Sequence, residues 1–285
     1  MSTFVEPKIT LFDIPSTLKP KSWSGNVWKA RFIFKPSSIE IIITNRIILI
    51  IERYILNYKQ IPYKTVWVPS SEIEKTLLSL GGEGKATSKQ IDDPSKPRYT
   101  LPAILDETGP EQVLVIDSIH IAEYLDEKYP ETKIVMPKKD KALEFAVEAL
   151  FQTTIAPHIM LPLLPYAQKV QDERCSEYFR KIQEKAFGKK LEEFSPEGPV
   201  REAQWDALKK ALDTLAGILD KNGPNVDFVR GGVDPTFADF VIAARIRWMK
   251  TVAPEEWLNR GIEQWNNNRW GRLLKRFEEW EFPAE

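Results

Sequence analysis

The residues whose types and spacing could do chemistry are few, and most stand where helices begin. Ser22, Ser24 and Asn26 punctuate SWSGN, directly before the helix-like run VWKARF. Hydroxyl and carboxamide groups there can cap a helix or, with its positive end, hold an anion. Asp117 and Ser118 separate the apolar run QVLVI from the helical pattern IHIAEYL. At such a junction backbone N–H groups bind a carboxylate, or the same two residues act as a simple cap. Thr236 and Asp239 in DPTFADF have capping-box spacing, with Asp where Glu or Gln is commoner, and read as a folding device. Cys175, in the charged helical pattern QDERCSEYFRKI, reads as a half-buried structural thiol rather than a nucleophile. His120 and His158 lack metal-ligand spacing, so no metal site is expected.

The overall charge excludes some partners. Lys and Arg total 40 against 41 Asp and Glu, which gives nucleic acid or an anionic membrane nothing to be drawn to. A single cysteine rules out an internal disulfide framework and fits a reducing, cytoplasmic compartment. The N-terminus has no basic region followed by an apolar core, so a secretory signal is not expected. Ile39–Leu56 approaches membrane-spanning length, but Glu40, Asn45, Arg46, Glu52 and Arg53 interrupt it. A spanning helix needs about 20 predominantly apolar residues, so this stretch is not read as one.

The elements that must position these residues follow from pattern. Ile9–Ile14 reads as a strand, YKTVWV as a second strand, and SSEIEKTLLSLGG as a helix with a Gly stop. YTLPAILD and QVLVID flank the turn sequence ETGPE and read as a hairpin, followed by the helix SIHIAEYLDEKYP. From Lys141 onward every pattern is helical. The fold class is therefore an α/β domain with a mixed sheet over 1–130, then an all-helical domain over 140–285.

Four pieces in this order resemble the glutathione transferase superfamily: ITLFDI with its Ser-rich loop and NVWKARF, then LPAI, then VIDSIHIAEYLDEKYP, then DPTFADFVIAA. The form SWSGNVWKAR…LNYKQIPYKTVWV is similar to the fungal transferases related to bacterial β-etherases. The resemblance implies a thioredoxin-like N-terminal domain plus an all-α C-terminal domain, glutathione as co-substrate without a metal, and a homodimer. It implies a detoxification-type reaction in which hydrophobic aromatic electrophiles or aryl ethers are conjugated or cleaved. A non-catalytic ligand binder and a docking module with the same fold stay open. Pro102 would be the family's cis-proline, presenting the Leu101 backbone to a peptide-like ligand; an ordinary turn proline is the alternative. Asp117 and Ser118 would hold the γ-glutamyl group. A free thiol with pKa near 8.5 is mostly protonated at neutral pH, so a hydroxyl donor at a helix N-terminus must favour the thiolate. Ser24 is the first choice, with Ser22 and Asn26 as alternatives, and helix capping is the bland reading of all three. No cysteine stands in that loop, which argues against Cys-dependent thiol transfer. Trp23, His158 and Tyr166 would line the acceptor site, the last two within the proline-broken stretch IAPHIMLPLLPY; packing is the alternative for Trp23, and an exposed polar position for His158 or Tyr166.

One segment does not belong to this pattern. Ile33–Tyr54 holds nine isoleucines among 22 residues, with no Ala or Gly. Removing it joins KARF to ILNYKQIPYKT as a continuous helix with a regular exit. The segment reads as translated intron. The alternative is a genuine insertion in which IEIIITNRIILIIE forms two strands around a TNR turn, an aggregation-prone hairpin or partner-binding strand. An insertion inside the first helix is expected to reduce transferase activity.

Overall fold

The computed structural model describes residues 8–14, 17, 46–89, 95–171 and 173–281. Its first domain is built on a four-stranded sheet of order β2-β1-β5-β6. β1 (Ile9–Asp13) pairs in parallel with β2 (Tyr63–Trp67) and antiparallel with β5 (Ala103–Asp106). β6 (Val113–Ile116) closes the edge by a hairpin with β5. β1 is buried along its whole length, as a central strand covered on both faces must be. The parallel pair needs a crossover, and α1 (Arg46–Tyr58) supplies it before β2. A turn of 3₁₀ helix (Ser70–Glu72) leads into α2 (Ile73–Ser79), and a minor hairpin, β3 (Ser88–Lys89) with β4 (Pro97–Arg98), precedes β5. α3 (Ser118–Lys128) follows β6 directly.

The part of the isoleucine-rich segment that falls among the described residues, 46–54, is helical and runs without a break into Leu56 and Tyr58. The strand alternative is therefore corrected for its second half. A run of isoleucines fits either element, and here the continuation ILNY carries the helical period onto a buried face: Ile51, Tyr54, Ile55 and Tyr58 all enter the core. Residues 15–16 and 18–45, which include the rest of that segment, lie outside the described residues.

The second domain comprises α4 (Lys141–Leu150), a π turn (Phe151–Ile155), α5 (Ala156–Lys169), α6 (Glu173–Phe187), α7 (Pro199–Leu219), α8 (Phe237–Val252), α9 (Pro254–Asn259) and α10 (Trp265–Phe277). α8 is its axis, with 15 of its 16 residues buried. Its start is fixed by the expected capping box: the Asp239 carboxylate accepts from the Thr236 N–H at 2.9 Å and reaches on to the Val229 N–H at 2.7 Å. Cys175 is fully rather than half buried, because α6 turns it inward. The helical run Lys141–Lys169 is long and apolar enough to cross a membrane by composition; here it packs against α7 and α8.

The domains meet along α1. Tyr58 donates to Asp234 at 3.1 Å, and Asn57 donates to the Trp280 carbonyl at 2.7 Å. Tyr58, Phe240, Phe277 and Trp280 meet edge-on around them, and Tyr54 lies tilted against Phe277. The buried Lys59 ammonium binds Asp126 and the Lys133 carbonyl, both at 2.7 Å, while Asp126 accepts the N–H groups of Val135 and Met136 in the linker.

Candidate active site

The residues at the junctions of β5 and β6 come together. The Leu101–Pro102 bond is cis. The sheet ladder begins only at Ala103, which leaves the Leu101 backbone outside it. The Asp117 N–H donates to the Pro102 carbonyl at 3.1 Å, so the end of β6 is fastened to the residue that precedes β5. Asp117 has φ of 86°, unusual for a residue with a side chain, and its carboxylate accepts from the Ile119 N–H at the start of α3. Ser118 is buried at the first position of that helix. The Leu101 backbone thus stands outside the ladder and beside a helix N-terminus, the pairing a ligand with one amide and one carboxylate requires.

Behind this edge lies a set of charges. Asp13, fully buried at the end of β1, accepts from the Ile14 N–H at 2.7 Å and from Arg53 Nε and Nη2 at 3.0 and 2.7 Å. Arg53 also reaches Thr65 on β2 and lies over the Trp67 ring. The neighbouring Glu52 is fully buried, and neither carboxyl oxygen makes a hydrogen bond among the described residues. The Ser118 hydroxyl stands beside it without hydrogen-bonding geometry, and burial, with Asp117 and Asp13 adding to it, pushes the Glu52 carboxyl well above the usual range. On the helical side, burial raises Glu148, with the Asp117 charge adding, and Arg245 and His120 opposing. Arg245 is buried on α8, and desolvation brings its guanidinium down to about 10. Among the described residues no three His, Cys, Asp or Glu side chains gather as a metal site.

Comparison with known proteins fixes the family. The chain is 30% identical to the glutathione S-transferase-like protein ustS of Aspergillus flavus, across 98% of this chain and 93% of that protein. The protein belongs to the glutathione S-transferase family. Family profiles agree: the glutathione S-transferase N-terminal domain matches residues 53–128 and the C-terminal domain matches 142–280. Two solved transferases of Ceriporiopsis subvermispora, each in complex with glutathione, share 29% and 31% identity. Their TM-scores are 0.81 and 0.79; they cover 97% and 95% of this chain, and the matches span 99% and 98% of theirs. A transferase of Phanerochaete chrysosporium aligns with TM-score 0.80 and 29% identity over 99% of this chain and all of its own.

Within this glutathione S-transferase fold, the sequence-expected residues divide three ways. Leu101, Pro102, Asp117 and Ser118 are brought together as described. Ser22, Trp23, Ser24 and Asn26 lie outside the described residues. His158 and Tyr166 sit on α5 but do not form a pair: His158 is exposed, while the half-buried Tyr166 hydroxyl donates to Glu256 at 2.7 Å. Burial and that carboxylate push the phenol up to about 12. A cavity of about 270 Å³ near Tyr166's helix is bounded by Pro165, Gln168, Arg180, Leu191, Ser195 and Arg201, with no residue of the first domain in its wall among the described residues. Sequence reasoning missed Glu52, Arg53, Glu148 and Arg245. Only the fold brings Arg53 to Asp13, Glu52 and Glu148 near Asp117, and Arg245 near Glu148, so no local spacing marks them.

Proposed function

We propose that this protein is a glutathione transferase acting on hydrophobic, aromatic electrophiles or aryl ethers. The reading rests on one observation: the fastening of Asp117 to Pro102 sets the Leu101 backbone, outside the sheet ladder, beside the N-terminus of α3, in a family whose similar structures hold glutathione. The Leu101 backbone pairs with the cysteinyl amides, and Ser118 with the α3 terminus takes the γ-glutamyl carboxylate. Asp117 receives the ammonium. Ser24, with Ser22 or Asn26 in support, donates to the sulfur and holds it as thiolate for attack. The reaction runs in a cytoplasmic homodimer.

The test is retention on immobilised glutathione followed by a conjugation assay with an aromatic electrophile and a cleavage assay with an aryl ether. Retention with turnover is expected. Retention alone would mean a ligand binder, and no retention would leave a docking module. Ser118→Ala removes a hydroxyl at a charged ligand and is expected to weaken glutathione about 10- to 100-fold. Ser24→Ala should lower kcat with little change in glutathione affinity.

A further inference from the structure

Glu52 fits its surroundings worse than its neighbours do. It is fully buried, both oxygens are unpartnered among the described residues, and its charged neighbours on β1 and before α3, Asp13 and Asp117, share its sign. The one cation beside it on α1, Arg53, is committed to Asp13. Burial of a carboxylate without a partner is among the costliest arrangements a core can contain. Two residues on, the buried Tyr54 hydroxyl faces Glu281 without forming a good hydrogen bond.

The sequence carries a second version of this stretch. KARF (29–32) and IERY (51–54) both end in arginine followed by an aromatic residue, and IERY runs directly into ILNYK. We propose that a form of this protein lacking Ile33–Tyr54 builds the same helix with Ala30, Arg31 and Phe32 in the places of Glu52, Arg53 and Tyr54, and that this shorter form has the stronger glutathione site. Each of these three exchanges answers a defect or keeps an asset. Ala30 removes the buried carboxyl. Arg31 keeps the guanidinium for Asp13 and Thr65. Phe32 keeps the ring against Phe277 and drops the unpartnered hydroxyl. Lys29 in the place of buried Ile51 is the exchange in the other direction and gives up an apolar core contact. The consequence for glutathione, which rests on the function proposed above, is electrostatic. Glu52 stands behind Ser118 and near Asp117; burial disfavours its ionised form, and that form, when present, repels the carboxylate that α3 is to bind.

The test compares thermal unfolding and calorimetric glutathione titration for five proteins: the full chain, its Glu52→Ala and Arg53→Ala variants, the chain without 33–54, and the Arg31→Ala variant of that shorter chain. Glu52→Ala should raise the melting temperature by roughly 2–10 °C, since an unsatisfied buried polar group is removed. It should also tighten glutathione binding severalfold, and the shorter chain should do both. Arg31→Ala in the shorter chain should lower its melting temperature as Arg53→Ala lowers that of the full chain. A fall in melting temperature with Glu52→Ala, a shorter chain that melts below the full one, or an inert Arg31→Ala would overturn the proposal. So would a message population in which Phe32 is never joined to Ile55. Should the melting results hold while no form binds glutathione, the helix replacement stands and the glutathione reading falls.

Discussion

Asp239 lies nearly fully buried under the first turn of α8, where it accepts from the Thr236 and Val229 N–H groups. Desolvation, helped by nearby Glu144, outweighs those bonds and pushes its carboxyl up to about 7 from 3.8. Between about pH 4 and pH 7 the folded chain therefore keeps a proton that the unfolded chain has released, and stability falls as pH rises through that window. Glu144, raised by its own burial while accepting the Ala238 N–H, contributes in the same direction. Asp239→Asn should flatten this decline in urea midpoints between pH 4.5 and 7. It should also cost about 1–3 kcal/mol at all pH values, because its NH₂ faces a backbone donor. An unchanged slope would show that Asp239 is not the group titrating. This box was legible in DPTFADF because both partners lie three residues apart. The Asp13–Arg53 pair was not, since 40 residues separate its members and only the parallel β1–β2 crossover brings them together.

At the scale of elements, strands and helices with a regular apolar period were read where they stand, and departures came where the period is uninformative or overruled. IAPHIMLPLLPY reads as broken by its prolines, yet α5 runs through Pro162 and Pro165 to Lys169. The missing N–H groups are offset by burial of Pro162, Leu163 and Leu164 in the core, a tertiary effect that local propensity does not contain. The run NNN precedes RWGRLLKRF in a region whose every pattern reads as helical. It forms a left-handed turn in which Asn266, Asn267 and Asn268 all have positive φ, between 54° and 59°. Asn266 works there, accepting from Trp270 and donating to Asp213, each at about 2.7–2.8 Å. Asn267 is exposed and serves through its carbonyl, which accepts from Arg272. Asn267→Gly should therefore leave stability unchanged or raise it slightly, while Asn267→Val should lose about 1–2 kcal/mol, the left-handed penalty for a branched side chain. Chemical denaturation of the two variants checks this; equal stabilities would mean that the turn does not have this geometry.

For the molecule as a whole, α1 decides whether there are two folding units or one. It is the crossover of the sheet, yet its broadest packing is against α8, in the other domain. Tyr58 is the centre of that seam: its ring touches Phe240 and Trp280, its hydroxyl binds Asp234, and the Lys133 ammonium lies over its face. Loops and linkers alone would let the domains unfold separately, as modest interdomain interfaces usually do. A helix shared by both cores forbids it, because neither domain can lose α1 without exposing its own buried face. The full chain should accordingly unfold in one calorimetric transition whose enthalpy matches the van't Hoff value. Tyr58→Ala removes about 3–5 kcal/mol of buried aromatic packing at the seam. Because that loss falls between the domains, it should lower the melting temperature and also split or broaden the transition. Asp234→Ala, which removes only the hydroxyl's acceptor, should lower the temperature less and keep the transition single. A Tyr58→Ala protein that melts earlier but just as cooperatively would place the coupling elsewhere, in the Lys59–Asp126 anchor of the linker.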